Sequence, residues 1–391
     1  MLSKAKDILK KNTMLIALGV VMVLFQMLIV AAGKGSLFAP ANISNLISQN
    51  SYVVILATGM LLCILTGGNI DLSVGSVVAL VGAIAGTLIV TMKVDIYLTM
   101  LICLLAGLAI GCWQGFWIAY VRIPPFIVTL AGMLLWRGLA LLVLDGLTIS
   151  PFPEEYLKYF TSFLPAVEDK AVVLTVTLII GAAASGVYIL SQILGRIAKR
   201  RKGYAVENLF WQIARVVVIT AVVMVVSYLL GKHKGIPVVL ILMAVIVLAY
   251  SYFTSRTVPG RHLYALGGNE KAAKLSGVDT NFTLFFAYAN MAFLSAVAAL
   301  VAVARFNSAA PSAGTNYEMD AIGACFIGGA SAYGGIGTVG GAVIGAIFMG
   351  VLNNGMSILG VDANWQKVVK GLVLLAAVVF DVLSKKRVKA S

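Results

Sequence analysis

The feature that most constrains this chain is a series of long apolar runs separated by short polar segments. A run of about 20 apolar residues matches the hydrocarbon thickness of a bilayer when it forms an α-helix. Of the 391 residues, 61% are hydrophobic and 11% are charged, whereas soluble domains are nearer a quarter charged. The runs therefore predict an all-α polytopic membrane protein, with one transmembrane domain over residues 1–391. We expect about twelve membrane elements, at residues 14–32, 46–66, 72–92, 97–120, 125–144, 171–194, 208–230, 236–254, 281–304, 318–333, 338–357 and 366–383.

The Lys and Arg residues concentrate on one predicted side of the membrane. When the N-terminus is placed in the cytoplasm and the spans alternate, 18 of the 29 basic residues fall in cytoplasmic segments and seven in outer segments. An excess of Lys and Arg is typical of cytoplasmic loops. We therefore expect a multi-pass protein of the cell (inner) membrane with both termini in the cytoplasm. The net charge of +14 is then a topology signal, so the expected surroundings are the lipid bilayer and no nucleic acid.

The four cysteines give no indication of a metal site or of disulfide bonds. All of them lie inside apolar stretches, and their spacing is unlike that of metal ligands. Cysteines in such surroundings behave as small buried hydrophobic residues. We expect no metal and no cofactor in this chain. The cysteines are Cys63, Cys103, Cys112 and Cys325.

A polar stretch, Gly260–Val278, interrupts the apolar pattern on the longest predicted cytoplasmic loop. Its second half has the signals of a very short helix that is capped at both ends. Asn269 is a good N-cap, and Glu270 places an anion in the first turn, where the helix dipole favours it. Lys274 has the charge that suits the last turn, and Gly277 suits a left-handed terminating residue. The pattern predicts a rigid docking element, and the alternative is a solvated loop with one helical turn.

Three polar features lie at predicted membrane depth. Residues Thr66–Ser76 break the apolar pattern with glycines and polar side chains. Tyr317–Asp320 opens a short segment that leads into the glycine-rich run 328–337. Irregular backbone at this depth needs cover from protein or a water-filled cavity, and short glycine-interrupted segments often mark a substrate path. The alternative for Thr66–Ser76 is a short loop at the membrane face. The candidate path residues are Asn69, Asp71, Ser73, Ser76, Arg137, Glu318 and Asp320.

The third feature is Arg137, near the middle of the predicted span 125–144. An arginine at the bilayer centre costs about 2.5–3.5 kcal/mol on insertion scales, so it should face protein or water and have a partner. Asp71, Glu318 and Asp320 are all candidate partners. The sequence alone does not choose among them.

Two further regions have both a functional and a structural interpretation. Trp113, Gln114 and Trp117 could stack on a sugar, although lipid-facing or interfacial packing also explains each tryptophan. The outer loop 145–170 is acidic and contains three prolines. We expect this loop to be ordered without regular structure, and either to receive an external protein or to be simply solvated.

Four motifs stand out along the chain: Gly67–Ser76 (GGNIDLSVGS), Gly260–Val278 (GRHLYALGGNEKAAKLSGV), Ala304–Asp320 (ARFNSAAPSAGTNYEMD) with its continuation to Gly341, and Leu352–Gly360 (LNNGMSILG). Together they resemble the membrane permease subunits of bacterial ABC sugar importers of the ribose, xylose and galactose type. The similarity extends over nearly the whole chain. Region 171–235 departs from the shorter ribose-type members, because it adds two spans around a basic loop. In this respect the chain resembles the longer xylose or multiple-monosaccharide branch.

The resemblance implies an ABC importer permease fold, in which loop 255–280 carries the element that couples to a separate ATP-binding subunit. No Gly-x-x-x-x-Gly-Lys-Ser/Thr phosphate loop occurs in the chain, so the expected role is a transport subunit and not an enzyme. The family also implies an extracytoplasmic sugar-binding protein and a second, usually identical, permease chain. Affinity would then lie in the binding protein. The implied ATPase-coupling residues are Gly267, Gly268, Asn269, Glu270, Lys271, Ala272, Ala273, Leu275, Ser276 and Gly277.

Two other function classes remain open at this point. An ion-coupled secondary sugar transporter would use the carboxylates and Arg137 as coupling residues. A membrane enzyme such as a glycosyl transferase would need clustered carboxylates and often a metal. The two histidines, His233 and His262, fall on opposite sides of the membrane in the predicted topology.

Overall fold

The computed structural model describes residues 13–204, 206 and 208–389. This part of the chain is almost entirely helical, and its one small sheet pairs β1 with β2 in antiparallel fashion. A π-helical turn, Thr87–Thr91, extends α4. The elements are α1 (Thr13–Ala31), α2 (Pro40–Gln49), α3 (Ser51–Leu65), α4 (Val74–Gly86), α5 (Ile96–Ala119), α6 (Pro125–Leu144), α7 (Glu154–Thr161), β1 (Phe163–Leu164), α8 (Lys170–Arg201), α9 (Leu209–Gly231), β2 (Ile236–Pro237), α10 (Val238–Arg256), α11 (Val258–Gly268), α12 (Glu270–Leu275), α13 (Thr280–Phe306), α14 (Tyr317–Ile327), α15 (Val339–Leu359) and α16 (Ala363–Lys389).

Nine helices of the described chain are long and apolar enough to cross a membrane, and the bent pair α2–α3 raises the number to ten. This confirms an all-α polytopic membrane protein, whereas the predicted count of about twelve elements is not confirmed. The pair bends by 40° at Asn50. α14 has 11 residues, which at 1.5 Å per residue span about 16 Å, roughly half of the hydrocarbon layer.

The centre of the fold is built from α3, α4 and α13. All but one of the 15 residues of α3 are buried, which requires neighbours on every side and explains why its sequence lacks a polar face. α13 packs against α3, α4 and α5. A Cβ added to Gly111 of α5 would lie 2.7 Å from the Ala289 backbone of α13. Glycine therefore lets these two helices approach closely, as small residues do in membrane helix pairs.

The helix pair of the predicted insertion 171–235 lies at the edge of the molecule. α8 and α9 pack on each other, and α9 also contacts α2. In the most apolar stretch of each helix, 22% of the α8 residues and 11% of the α9 residues are buried within the protein. The predicted span 171–194 is shorter than the helix observed, because α8 continues through a basic segment to Arg201.

Two loops contain more regular structure than the sequence indicated. The outer loop 145–170 was predicted to lack it, yet it forms α7 and β1. Tyr156 of α7 is fully buried, and its hydroxyl donates to the Leu300 carbonyl oxygen at 2.7 Å. This contact with α13 supplies the packing that holds so short a helix. On the other side, Thr257 caps α11 ahead of α12 by accepting from the Gly260 N–H, so the first half of the polar stretch is helical as well.

Candidate functional site

The chain turns sharply after α3, in the predicted break Thr66–Ser76. Gly67 and Gly68 have φ angles of 128° and 76°, a region that disfavours residues with a Cβ. A Cβ on Gly68 would lie 1.9 Å from the Ala332 carbonyl oxygen. The glycine-rich run 328–337 therefore packs backbone to backbone against the break. Asn69 is half-buried beside it and donates to the Thr66 carbonyl oxygen at 3.3 Å.

Asp71 organises the interior of this break. Its side chain is fully buried, and Oδ1 accepts from the Ser73 N–H at 2.8 Å and from the Ser73 hydroxyl at 2.6 Å. The Gln114 side-chain amide donates in turn to Ser73 Oγ at 2.7 Å. The resulting chain of hydrogen bonds ties the start of α4 to α5. Ser76 follows within α4 and is also buried.

Two helices, α4 and the short α14, meet at their N-termini next to this network. α4 begins at Val74 and α14 begins at Tyr317. A Cβ on Gly75 would lie 2.1 Å from the Gly314 carbonyl oxygen and 2.5 Å from Glu318 Oε2. Helix N-termini carry partial positive charge, so the Glu318 carboxylate is well placed between them. A short helix such as α14, whose N-terminus faces a break in the neighbouring chain, is the membrane arrangement in which polar groups can line a path.

Arg137 of α6 braces the segment that leads into α14. Its guanidinium donates to the carbonyl oxygens of Pro311 at 3.2 Å and Ala313 at 2.5 Å. The predicted partners were the carboxylates of Asp71, Glu318 and Asp320. In the described chain the hydrogen bonds go to carbonyl groups instead, and Glu318 acts on Arg137 electrostatically. The sequence did not indicate this because carbonyl partners carry no side-chain signal.

Asp320 has other partners, on the side of α14 that faces α3 and α16. Its carboxylate lies 2.8 Å from Lys370 Nζ and accepts from the Tyr52 hydroxyl at 2.9 Å. Tyr52 also stacks on Tyr317, with 3.8 Å between the ring centroids. Asp320 is 2% exposed, and a buried carboxylate needs such pairing. The structure thus separates Asp320 from Glu318, although the two are neighbours in sequence.

The aromatic residues of α5 and α6 pack on one another. The Trp113 ring makes edge contacts with Trp117 at 6.2 Å and with Trp136 at 5.4 Å, measured between centroids. Gln114 is fully buried and belongs to the Asp71 network. Trp113 is 40% exposed, so this cluster is partly accessible. In the described residues, no group of three or more His, Cys, Asp or Glu side chains is arranged to hold a metal ion.

α12 is the short helix that the polar stretch predicts. Asn269 Oδ1 accepts from the Ala272 N–H at 3.0 Å. At the other end, the Gly277 N–H donates to the Lys274 carbonyl oxygen, and the Val278 N–H donates to the Ala273 carbonyl oxygen, each at 3.1 Å. With Gly277 at a φ of 84°, these bonds form a Schellman motif. Both ends of a six-residue helix are therefore satisfied without help from other elements.

The outer face of α12 is open to solvent. Leu275 is 91% exposed, whereas Ala273 is 5% exposed and packs inward. The polar residues Lys271, Lys274 and Ser276 surround Leu275 on the exposed face. Leu275 is therefore an accessible apolar side chain on a capped helix.

Two contacts, one from each helix, fix α11 and α12 to the membrane domain. Arg122, in the α5–α6 turn, pairs with Glu270 at 2.6 Å and hydrogen-bonds Asn281 at the start of α13. A Cβ on Gly267 would lie 1.8 Å from the Leu65 carbonyl oxygen. The Gly335 N–H donates to that same oxygen at 3.0 Å. α11, which directly precedes α12, is thereby connected to the end of α3 and to the glycine-rich run.

Tyr264 adds a polar contact at the same junction. Its hydroxyl donates to the Gly337 carbonyl oxygen at 2.9 Å. Burial raises the pKa of Tyr264, so the group stays a neutral donor at physiological pH. Of the residues at this junction, the sequence indicated only the glycines and Glu270. Arg122 was treated as a topology signal, since nothing in its neighbourhood points to a residue about 150 positions away.

A family described as branched-chain amino acid transport system / permease component matches residues 42–378. The chain belongs to this permease family. Xylose transport system permease protein XylH of Escherichia coli is 37% identical to the permease over 353 residues, 90% of this chain and 88% of that protein. The XylH protein of Haemophilus influenzae is 38% identical over 374 residues, 96% of each chain. Ribose import permease protein RbsC of Escherichia coli is 34% identical over 353 residues, 90% of this chain and 89% of that protein.

These relatives confirm the resemblance to permease subunits of sugar importers that the sequence motifs indicated. They also confirm a transport subunit rather than an enzyme, because each is named as a permease. The family description names amino acids while these relatives are named for sugars, so the family covers more than one class of substrate. No solved structure matches the permease.

Proposed function

We propose that the permease is the membrane subunit of an ATP-driven importer for a monosaccharide, either xylose or a related pentose or hexose. The two relatives named for xylose are 37% and 38% identical to it, and the relative named for ribose is 34% identical. The α8–α9 pair occupies the region that distinguishes the longer branch by sequence. A second permease chain and an extracytoplasmic sugar-binding protein complete the importer.

The exposed Leu275 on α12 is the observation that carries the proposal. A separate ATP-binding subunit docks on this helix from the cytoplasm, with Leu275 as the apolar centre and Lys271 and Lys274 at the rim. Residues Gly267–Gly277 form the coupling element. ATP drives transport only if it favours one conformation of the complex over the other. A capped helix transmits such a change well because its shape is set by its own hydrogen bonds.

The connection from α12 to the path passes through the contacts described above. The Arg122–Glu270 pair links α12 to α5, α6 and α13. The Gly267–Leu65 contact links α11 to the break at Thr66–Ser76. Asn69, Asp71, Ser73, Ser76, Arg137 and Glu318 line or brace the path in this proposal. Asp320 braces α14 from the other side, through Lys370.

The competing function is an ion-coupled secondary sugar transporter. In that case Asp71, Glu318, Asp320 and Arg137 would carry the coupling ion. The geometry favours structural roles for two of them: Asp71 accepts two hydrogen bonds from Ser73, the residue before α4, and Asp320 is paired with a lysine.

Reconstituted transport separates the two functions. The permease is placed in proteoliposomes with its ATP-binding subunit and binding protein, and uptake of labelled xylose is followed. We expect uptake to need ATP inside and binding protein outside, and to be insensitive to a proton or sodium gradient. Gradient-driven uptake without ATP would establish the secondary transporter. Competition by unlabelled ribose, galactose and glucose then identifies the preferred sugar.

A second measurement tests the docking surface. Leu275→Asp places a charge at the centre of the proposed contact, and we expect co-purification of the ATP-binding subunit to be lost. Leu275→Met preserves an apolar side chain of similar volume and should keep it. If Leu275→Asp still retains the ATP-binding subunit at wild-type yield, α12 is not the docking element.

A further inference from the structure

The predicted cytoplasmic end of α8 carries five basic residues in seven positions, which we call the α8 basic cluster: Arg196, Lys199, Arg200, Arg201 and Lys202. Three of them occupy the last turn of the helix. The side chains of Lys199, Arg200, Arg201 and Lys202 are exposed. In the described part of the chain, no salt bridge to an acidic residue involves these four. Among the described residues, these four charges therefore have no acidic partner.

When the apolar part of α8 spans the bilayer, the cluster falls beside the lipid headgroups. The apolar part of α8 runs from Ala171 to Leu194, a length of about 36 Å at 1.5 Å per residue. The hydrocarbon core of a bilayer is about 30 Å thick. Arg196 is two residues beyond Leu194, and the remaining cluster follows within about 10 Å along the helix. All five charges thus lie within about one Debye length of the membrane surface.

Exposed aromatic side chains flank the cluster. Tyr204 is 65% exposed, Phe210 is 69% exposed and Trp211 is 45% exposed. Tyrosine and tryptophan are enriched where a membrane protein crosses the headgroup layer, because their rings are apolar with a polar edge. Three aromatic rings that the protein leaves uncovered are unfavourable in water. The headgroup layer accommodates them, because it offers contacts to both their apolar faces and their polar edges.

Hydrogen bonds between α8 and α9 hold this end of the pair together. Gln212 of α9 donates to the Gln192 carbonyl oxygen of α8 at 3.3 Å, and Arg196 donates to the Gln212 side chain. The basic and aromatic groups are therefore presented on two helix ends that are fixed relative to one another. A preorganised surface loses less conformational entropy when it binds.

We propose that the α8 basic cluster binds the phosphate groups of anionic phospholipids in the cytoplasmic leaflet. Arginine and lysine side chains at this depth attract negatively charged headgroups, and the arginine fork matches phosphate oxygens. In the apolar stretches of α8 and α9, only 22% and 11% of the residues are buried within the protein. Lipid contacts therefore supply anchoring that protein packing does not, and they hold the inserted pair at the edge of the permease.

The binding measurement uses the full permease purified in a zwitterionic detergent. Phosphatidylglycerol and phosphatidylcholine are titrated in, and bound lipid is counted by native mass spectrometry. The test variant carries Lys199→Gln, Arg200→Gln, Arg201→Gln and Lys202→Gln together. We expect its affinity for phosphatidylglycerol to fall by about tenfold or more, with weak binding of phosphatidylcholine unchanged. In the wild type, raising the salt concentration should weaken binding of phosphatidylglycerol, because the attraction is between charges.

Two matched variants control the measurement. Lys232→Gln with Lys234→Gln removes charge from the opposite end of α9 and should leave phosphatidylglycerol binding at the wild-type level. Lys199→Arg with Lys202→Arg preserves the cluster charge and should also bind as the wild type does. Equal thermal melting of all variants in lipid-free detergent shows that they are folded.

Three results would overturn the proposal. The first is wild-type affinity for phosphatidylglycerol in the four-glutamine variant. The second is a wild type that binds the anionic and zwitterionic lipids equally well. The third is tighter binding of an acidic peptide such as polyglutamate than of phosphatidylglycerol, which would make the cluster a protein-docking surface.

Discussion

Arg122 and Glu270 form an ion pair with 2.6 Å between the guanidinium nitrogen and the carboxylate oxygen. Arg122 has a φ of 66° in the tight turn between α5 and α6, and Glu270 is the first residue of α12. The pair joins the proposed coupling helix to the membrane domain. Its side chains are 42% and 49% exposed, so it contributes at most about 1 kcal/mol to stability. Its importance is therefore in connecting two elements.

Reversing the pair tests that connection. Arg122→Glu or Glu270→Arg places like charges together, and we expect ATP hydrolysis by the complex to continue while sugar uptake falls several-fold. The double variant restores opposite charges and should recover much of the uptake. Arg256→Gln is the control, since Arg256 is an exposed basic residue at the end of α10 and lies outside both the pair and the coupling element. Equal loss in the single and double variants would contradict a role for the pair itself.

Adjacent glycines at 267 and 268 offer a matched comparison. A Cβ at Gly267 would meet the Leu65 carbonyl oxygen at 1.8 Å, whereas a Cβ at Gly268 would have no neighbour within 4 Å. Gly267→Ala should therefore separate α11 from the end of α3, cost about 1–3 kcal/mol and reduce coupled uptake. Gly268→Ala should have little effect. Thermal melting and ATP-dependent uptake of both variants, each with full membrane insertion, provide the measurement.

The termination of α12 can be tested separately from its anchoring. Gly277 has a φ of 84°, and nothing lies within 4 Å of an added Cβ, so Gly277→Val acts on backbone conformation alone. A β-branched residue is strongly disfavoured there. We expect normal insertion, normal docking of the binding protein and weaker association of the ATP-binding subunit. Co-purification at wild-type yield together with normal uptake would remove the coupling role from this helix.

The Asp71 network predicts loss of transport without loss of insertion. Asp71→Leu removes the acceptor of two Ser73 hydrogen bonds and frees the start of α4. Uptake should be abolished in a variant that reaches the membrane at the wild-type level. Asp71→Asn retains an acceptor oxygen and should keep partial activity. Normal uptake by a well-expressed Asp71→Leu variant would show that the break at Thr66–Ser76 has no role in transport.

The buried pair of Asp320 and Lys370 gives a stability test. Asp320→Asn leaves Lys370 without its counter-charge. Because the Lys370 side chain is 21% exposed, we expect a cost below the roughly 3–5 kcal/mol of a fully buried pair. Replacing both residues by leucine removes both charges and should restore much of the lost stability. Thermal melting of the purified variants measures the difference. If the double variant is as unstable as the single one, the Tyr52 hydrogen bond rather than the ion pair holds α14.

The sequence by itself determined the class of the protein and several local features. The apolar runs specify membrane helices, because a helix forms its backbone hydrogen bonds within its own segment and hydrocarbon offers the backbone no other partner. Asn269 and Gly277 were identified as the ends of α12, since capping is a local interaction among neighbouring residues. The motifs around Gly67–Ser76 and Gly260–Val278 also carried the family resemblance. Orientation in the membrane stays a prediction; an external thiol reagent that labels cysteines placed at 202 or 271 in intact cells would overturn it.

Only the tertiary structure decided which distant residues meet. Arg137 hydrogen-bonds carbonyls of Pro311 and Ala313, and Asp320 pairs with Lys370, although each carboxylate was an equally good candidate for Arg137 by sequence. Likewise, Gly267 touches Leu65 across some 200 residues. These contacts depend on how helices pack, and packing is a property of surfaces assembled from many segments. No short stretch of sequence contains that information.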